Sequence, residues 1–516
     1  MATGFVIRKN QYYDSLFLMG VNNRLSKAAG VQQTAVLMGS EKNKELLVDI
    51  GIQDPLIDAA NPNDLIVAVV AKTQAVVEIV LGDLDQALQV LADGAPVSIW
   101  HTFEDGLAQK PEANLAVISI PGEYVAREAR KAIESGLHAF IFSSNVTIDD
   151  ELELKRSASQ KNLLVMGPDC GTSLISGVGI GFANAVRKGT IGAIGASGTG
   201  LQEFTSQIHN SGLGISHAIG TGTNDVSDAI NGLTTFAALK ALEEDPDTKI
   251  IVFVSKPPGR KTLAKLLERL DQCKKPTICC FLGTDNLPET NRKVKFARTV
   301  DEAVQWAIYF EDEGPIVSKP TLTLEELEWI KNEQGRWSPE QKYLRGIFAG
   351  GTFCYQSQQI LRDEGLEVYS NAPLDSRFRL THPDQSRSHT LVDMGDEHYT
   401  LGKPHPMIDG TLRNQRILTE SRDPEVAILY LDFILGYNAS SDPVGELLDA
   451  IIQARQAATT QGSHLTVVAS ICGTEDDPQD LNFQANLLRE QGVYVFNSNA
   501  RSALFCAHLL TDRGEK

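Results

Sequence analysis

No Cys-x-x-Cys pair occurs in this chain of 516 residues. Its seven cysteines (Cys170, Cys273, Cys279, Cys280, Cys354, Cys472 and Cys506) are odd in number and scattered. That pattern excludes a disulfide-stapled scaffold and points to a reducing compartment. No cluster of histidines, cysteines or carboxylates has metal-ligand spacing, so no metal is expected. Membrane-length apolar runs are also lacking: the longest, such as Leu65 to Ala71, have the length of a strand. The opening Met1-Ala-Thr-Gly-Phe-Val-Ile-Arg-Lys9 carries no apolar signal core, and a cytoplasmic location is the expectation. Positive charge is in short supply, with 47 Lys and Arg against 66 Asp and Glu, a net charge of -19 and a pI near 5.0. Such a chain approaches nucleic acid or an anionic membrane against its own field. The densest basic run, Lys256 to Lys275, reads as the solvated face of a helix. A hydrophobic content of 42% with 22% charged residues is ordinary for globular proteins, and the length calls for three or four domains.

What the chain does have is a repeated unit. Gly189-Thr-Ile-Gly-Ala-Ile-Gly-Ala-Ser197-Gly198-Thr199-Gly200 runs into Leu201-Gln-Glu-Phe, and Gly346-Ile-Phe-Ala-Gly350-Gly351-Thr352 runs into Phe353-Cys-Tyr-Gln. Each is an apolar strand, a turn of small residues with a threonine, and a helix. Small residues at a helix start let backbone N–H groups crowd around an anion in the positive end of the helix dipole. Both units are followed by Asp-Pro and another apolar strand, at Asp245-Pro246 and Asp423-Pro424. An internal duplication follows, with the two helix ends facing each other over a phosphate, a carboxylate or an acyl phosphate.

Strand and helix periods alternate along the whole chain, giving an α/β class with several doubly wound domains and a small N-terminal α+β unit. Residues 1–95 form that small unit, βαβ-rich and ferredoxin-like in pattern. Residues 96–187 read as half of a Rossmann sheet, 188–318 and 343–516 as the duplicated domains, and 319–342 as a linker with one amphipathic helix, Leu324 to Lys331. The loop Gly167-Pro-Asp169-Cys-Gly-Thr-Ser173 lies where the crevice at the strand ends belongs.

The motifs Asn114-Leu-Ala-Val-Ile-Ser, Phe142-Ser-Ser-Asn-Val-Thr, Met166-Gly-Pro-Asp-Cys-Gly-Thr-Ser, Gly192-Ala-Ile-Gly-Ala-Ser-Gly-Thr-Gly, Val254-Ser-Lys-Pro-Pro and Gly402-Lys-Pro-His-Pro-Met-Ile-Asp resemble the FdrA family. Residues 112–300 resemble the α subunit of succinyl-CoA synthetase, and 343–516 the C-terminal domain of its β subunit. The resemblance implies a CoA-binding-type domain at 96–187 and ligase domains at 188–318 and 343–516. Departures matter as much. In the synthetases a histidine after the last strand of the first ligase domain carries phosphate. Here that loop reads Phe281-Leu-Gly-Thr-Asp-Asn-Leu-Pro288, and no histidine lies between His217 and His382. There is no space for an ATP-grasp domain before residue 343. The half-Rossmann unit has Ile120-Pro-Gly-Glu where a Gly-rich fingerprint would be, which makes CoA binding doubtful. What the resemblance leaves is acyl transfer to phosphate. Its FdrA branch implies an oxamate carbamoyltransferase in allantoin or purine catabolism (N-carbamoyl-oxamate plus phosphate to carbamoyl phosphate and oxamate). An acyl-CoA synthetase subunit and a non-catalytic anion-binding scaffold are the alternatives. No tightly bound cofactor is expected. The expected partners are a small anionic metabolite, subunits encoded nearby and further copies of the chain.

Lys403-Pro-His405-Pro-Met-Ile-Asp409-Gly-Thr-Leu-Arg413 is the sharpest polar cluster. His405, Asp409 and Arg413 are the catalytic candidates, for proton transfer and anion binding. If a helix starts at Asp409, the bland alternative is a local pair with Arg413 at i+4. Ser197, Gly198, Thr199, Gly200, Lys256, Gly350, Gly351, Thr352 and Asn438 are the expected phosphate and substrate contacts, with Asp169 and Asp393 as further candidates. The helix after Gly436-Tyr-Asn438-Ala-Ser-Ser-Asp442 is a third candidate anion-binding start. His101, His138, His209, His217, His464 and His508 read as structural or solvated, and Cys170 and Cys354 as buried small residues.

Overall fold

The structure, a computed structural model, describes residues 2–11, 13, 15–26, 28–49, 51–90, 100, 102–284, 293–312, 321–401 and 403–511. Residues 93–99 of the first connector, His101, the second half of the Phe281 to Pro288 loop, Pro315, Pro320 and Gly402 lie outside them. The chain divides into two units, Met1–Ala113 with Leu401–Pro404, and Asn114–Thr400 with His405–Lys516.

In the first unit, β1 (Ala2–Arg8), β2 (Val31–Met38) and β3 (Leu65–Ala71) form an antiparallel sheet of order β1-β3-β2. The unbroken apolar run of β3 takes the centre because both of its faces are covered. Leu65, Val67 and Val69 pack on Val21, Val77 and Val80, while Ile66, Ala68 and Val70 pack on Leu47, Ile52 and Ile57. This order matches three strands of a ferredoxin-like sheet. Two helices, Gln74–Gly82 and Leu84–Val90, follow β3, separated at the weak helix formers Gly82 and Asp83.

The second unit holds three sheets. β4 (Leu115–Ile118), β5 (His138–Ile141) and β6 (Val165–Met166) are parallel and adjacent in that order, the half-Rossmann arrangement. The next two strands, β7 (Thr172–Ile175) and β8 (Val178–Gly181), form a hairpin that joins the following sheet instead. That sheet contains β9 (Lys188–Gly195), β10 (Ile215–Gly220), β11 (Ile250–Ser255), β12 (Thr277–Phe281) and β13 (Val294–Ala297), ordered β13-β12-β11-β9-β10-β7-β8. Its five parallel strands run 2-1-3-4-5 in their own sequence order, the flavodoxin-like winding.

The third sheet has β14 (Tyr343–Phe348), β15 (Val368–Ser370), β16 (His389–Asp393), β17 (Val426–Ile434), β18 (Thr466–Cys472) and β19 (Tyr494–Phe496), ordered β15-β16-β14-β17-β18-β19. Without its edge strand β15 this is again 2-1-3-4-5, so the duplication read from two turns extends to whole sheets. The linker helix, Leu324–Gln334, carries a full capping box between Thr323 and Glu326.

Candidate functional site

Each duplicated sheet puts its helix start at the end of its first central strand, at the switch point of the winding. Ser197, extended at φ -137 and ψ 121, is the N-cap of helix Gly198–Asn210, and its hydroxyl accepts from the N–H of Gly200. Gly350, extended at φ -100 and ψ 112, is the N-cap of helix Gly351–Asp363. The two starts meet. Thr199 and Thr352, each the second residue of its helix, join hydroxyl to hydroxyl at 3.0 Å, and the Ser197 hydroxyl also bonds that of Thr352. Gly200 has to be glycine because the halves touch there: a Cβ would lie 2.9 Å from Val254 Cγ1 and 3.2 Å from Thr352 Cγ2.

The same pseudo-two-fold relation recurs deeper in the seam. Gln356, sixth in its helix, accepts the N–H of Val300 at 2.8 Å, which opens the last helix of the first half. Glu203, sixth in the other helix, accepts the N–H of Asn499 at 3.0 Å, which opens the last helix of the second half. Each half therefore caps the other. Burial and the neighbouring Asp301 carboxylate push the Glu203 pKa up to about 8, so the acid is largely neutral, like its mate Gln356.

The second helix start is surrounded by ionisable groups. Asp432 lies seventh in the apolar strand β17 and is fully buried. Its carboxylate accepts from the N–H groups of Ala349 and Gly350 at 2.8 and 2.7 Å and from Arg413 at 2.9 Å. Arg413 makes this pin through Nη2, which donates also to the carbonyls of Ile347 and Asp432 at 2.9 and 2.7 Å, while its buried Nε has no partner. The i+4 pairing of Asp409 with Arg413 is not made. The helix begins at Thr411 rather than Asp409, and Asp409 accepts the Thr411 N–H at 2.8 Å. Asp393 ends β16 under Gly351, where a glycine Cβ would lie 2.5 Å from its Oδ2. Burial raises the Asp393 pKa to about 6, helped by Asp396 and Asp432, while Lys256 and the Gly395 N–H act the other way. Lys256 reaches from the loop after β11 toward the second helix, with its ammonium 5.6 Å from the Tyr355 ring centre.

His405 closes the same corner. Its Nδ1 accepts the Met407 N–H at 3.2 Å and its ring lies 5.8 Å from that of Phe182. A Cβ on Gly395 would sit 3.0 Å from His405 Nε2 and 3.2 Å from Asp393 Oδ1, so these two side chains converge. Burial, with the Arg413 charge, lowers the His405 pKa to about 4. The imidazole is neutral at pH 7, and with Nδ1 accepting, its proton sits on Nε2. His405 is thus a hydrogen-bond donor here.

The remaining candidates lie elsewhere. Asn438, at φ 64, donates to the Gly181 carbonyl at 2.7 Å and so ties a loop to the β7-β8 hairpin. The helix after it is capped by its own Asp442, which accepts the Gly445 N–H at 3.0 Å. Asp169, exposed at φ 56, accepts from the Thr223 hydroxyl at 2.6 Å. His138, His209 and His217 each use Nδ1 to accept a backbone N–H. Cys170 and Cys354 are buried, and burial pushes the Cys170 thiol up to about 12. Sequence reasoning passed over Asp432, Glu203, Gln356 and Phe182. A lone Asp inside Val426-Ala-Ile-Leu-Tyr-Leu-Asp-Phe-Ile434 was the signal available for the first.

Three family models match the sequence: "CoA-ligase" over residues 347–508, "CoA binding domain" over 186–283, and "AllF, heavy metal-associated domain" over 1–97. The Escherichia coli (strain K12) protein YahF is 40% identical over 519 residues, covering 100% of both chains. Succinate–CoA ligase [ADP-forming] subunit alpha 1 of Archaeoglobus fulgidus is 25% identical over 191 residues, 36% of this chain and 64% of that one. Among solved structures, acetyl-coenzyme A synthetase 1 of Ca. Korarchaeum cryptofilum in complex with phosphate and ADP covers 77% of this chain and 82% of its own, at 17% identity and a TM-score of 0.28. The family models describe CoA-ligase and CoA-binding segments, which match the acid–thiol ligase alternative rather than carbamoyl transfer.

The donor set of the N-terminal unit does not fit a heavy metal. Residues 1–97 contain neither cysteine nor histidine, and among the described residues no group of three or more His, Cys, Asp or Glu could hold an ion. No helix of the described residues is long and apolar enough to cross a membrane.

Proposed function

Because the chain belongs to the family of the Escherichia coli protein YahF and carries CoA-ligase and CoA-binding segments, we propose that it is the acyl-transferring subunit of an acid–thiol ligase-type enzyme. It moves an acyl group between phosphate and a second acceptor. The observation that carries this reading is the meeting of the two duplicated helix starts at the Thr199 and Thr352 hydroxyls. Oriented N–H groups and hydroxyls at that point stabilise the oxyanion formed when a nucleophile adds to an acyl phosphate. The nucleophile's pair forms the new bond to the acyl carbon, and the bond to the phosphate oxygen breaks. Asp393, with its pKa near neutrality, takes the nucleophile's proton. His405 Nε2–H and Lys256 supply hydrogen bonding and positive charge beside it.

A second reading, carbamoyl transfer with oxamate as acceptor, is favoured by one specific observation. With no histidine between His217 and His382, the loop that carries phosphate in the synthetases has no carrier here, and a reaction starting from a ready-made acyl phosphate needs none. Both readings are tested with the full chain and the products of neighbouring genes. Turnover of succinate, CoA and ATP supports the ligase reading, and turnover of carbamoyl phosphate with oxamate supports the second. If neither turns over while a small anion raises the melting temperature, the chain is an anion-binding scaffold.

A further inference from the structure

The β7-β8 hairpin pairs with the first duplicated sheet, yet its end is built into the second half. Three hydrogen bonds fasten it there. The Asn438 side chain donates to the Gly181 carbonyl at 2.7 Å, the Tyr437 N–H to the Ala183 carbonyl at 2.7 Å, and the Asn184 side chain to the Leu435 carbonyl at 2.9 Å. Between them, the Phe182 N–H donates to the Gly171 carbonyl at 2.7 Å. The backbone of Phe182 is therefore fixed from both sides.

Its side chain, 5% exposed, belongs to the hydrophobic core of the second half. There it stands between two other rings. Phe142, just past the end of β5 in the half-Rossmann sheet, lies 5.4 Å away centre to centre, and His405, from the second half, lies 5.8 Å away with the ring planes at 40°. The His405 ring itself has a slender tether. Among the described residues its one hydrogen bond is the Met407 N–H to Nδ1 at 3.2 Å, from a residue only two places on. A single long bond of that kind leaves the ring free to turn about it. A close-packed aromatic face does not. The charged groups facing His405 are Asp393, which converges with Nε2 beneath Gly395, and Arg413.

We propose that Phe182 is a positioning residue for His405: the ring carried in by the hairpin holds the imidazole with Nε2 on the side of Asp393 and keeps water off it. The reaction that His405 serves rests on the acyl-transfer reading, whereas the placement of the ring does not.

NMR of the full chain with ¹⁵N-labelled histidine, followed from pH 4 to 9 and assigned with His405→Gln, tests it. In the wild type His405 should stay in the Nε2–H tautomer and not titrate above pH 5, because burial and the Arg413 charge disfavour the cation. Phe182→Leu keeps the apolar bulk and removes the ring face. It should give a mixture of tautomers and move the titration up toward the ordinary 6.5. His138, His209 and His217, whose Nδ1 atoms each accept a backbone N–H, should not move, which separates a local change from a damaged fold. If Phe182→Leu fails to fold, Phe182→Met, flexible enough to fill the same space, is read in the same way. Where acyl transfer is observed, kcat should fall by about tenfold or more with KM little changed, since the ring acts through His405. An unchanged His405 signal, or an unchanged kcat where turnover occurs, would each overturn the proposal. The expected spectra without turnover of any acyl phosphate would leave this inference standing and remove the acyl-transfer reading.

Discussion

Replacing Glu203 with glutamine tests the seam between the two halves. Glu203 is buried at 2% exposure, its Oε2 has no hydrogen-bond partner, and its Oε1 accepts the Asn499 N–H. The groups facing it are Gln207 on its own helix, Asp301 at the start of the neighbouring one, and Asn499 and Gln356 from the other half. None is a cation. The folded pKa is raised from the ordinary 4.5 to about 8. The unfolded chain therefore releases this proton at lower pH than the native one. The contribution of the neutral acid is complete below pH 4.5 and is lost as pH rises through about 8. At about 1.4 kcal/mol per pH unit, the ceiling over that interval is about 5 kcal/mol. Asp301, also raised by burial, adds a slope of the same sign. Glu203→Gln keeps the acceptor for Asn499, copies the neutral partner Gln356, and removes the titration. Chemical denaturation at pH 5, 6.5 and 8 should show a variant close to wild type at pH 5 and more stable by several kcal/mol at pH 8. Equal pH slopes in the two proteins, or a variant less stable at pH 8, would refute a neutral Glu203.

Arg413→Lys loses the donor geometry that serves the Ile347 carbonyl, the Asp432 carbonyl and the Asp432 carboxylate together. It should cost about 3 kcal/mol or more, read as a drop in melting temperature whether or not substrate is present. Gly200→Val drives methyl groups into Val254 and Thr352. It should separate the helix starts and abolish transfer while far-UV circular dichroism stays close to wild type. If Asp393 is the proton acceptor, the rate should fall as pH drops through about 6, and Asp393→Asn should lower it at all pH values by about 10² or more. His405 should show no imidazole titration by NMR above pH 5, given a pKa near 4.

Much of the architecture was legible because it is written in local patterns. Leu65 to Ala71 reads as a strand from its unbroken apolar run, and the structure makes it the centre of its sheet, covered on both faces. The two turns of small residues read as helix starts, since only a backbone without bulky side chains permits the approach that Gly200 shows. Where two local readings competed, tertiary contacts decided. Thr172 to Gly181 follow the half-Rossmann strands in sequence but pair with β10, because hairpin edges seek an open sheet edge wherever one lies.

The sequence by itself determined the α/β class, the duplication and the strands and helix starts of each half, because periodicity and turn chemistry act over a few residues; that the two starts touch is a tertiary contact between residues 153 apart. Only the tertiary structure decided which charges share a site. Arg413 looked toward Asp409, four residues away, and is held by Asp432, nineteen residues on, across the sheet. Asp393 at the end of a strand and His405 and Lys256 from two separate loops converge because parallel strands all end on the same side. Glu203 is an ordinary helix residue in sequence. The other half of the duplication, packed over it, withdraws it from water, and burial sets its charge.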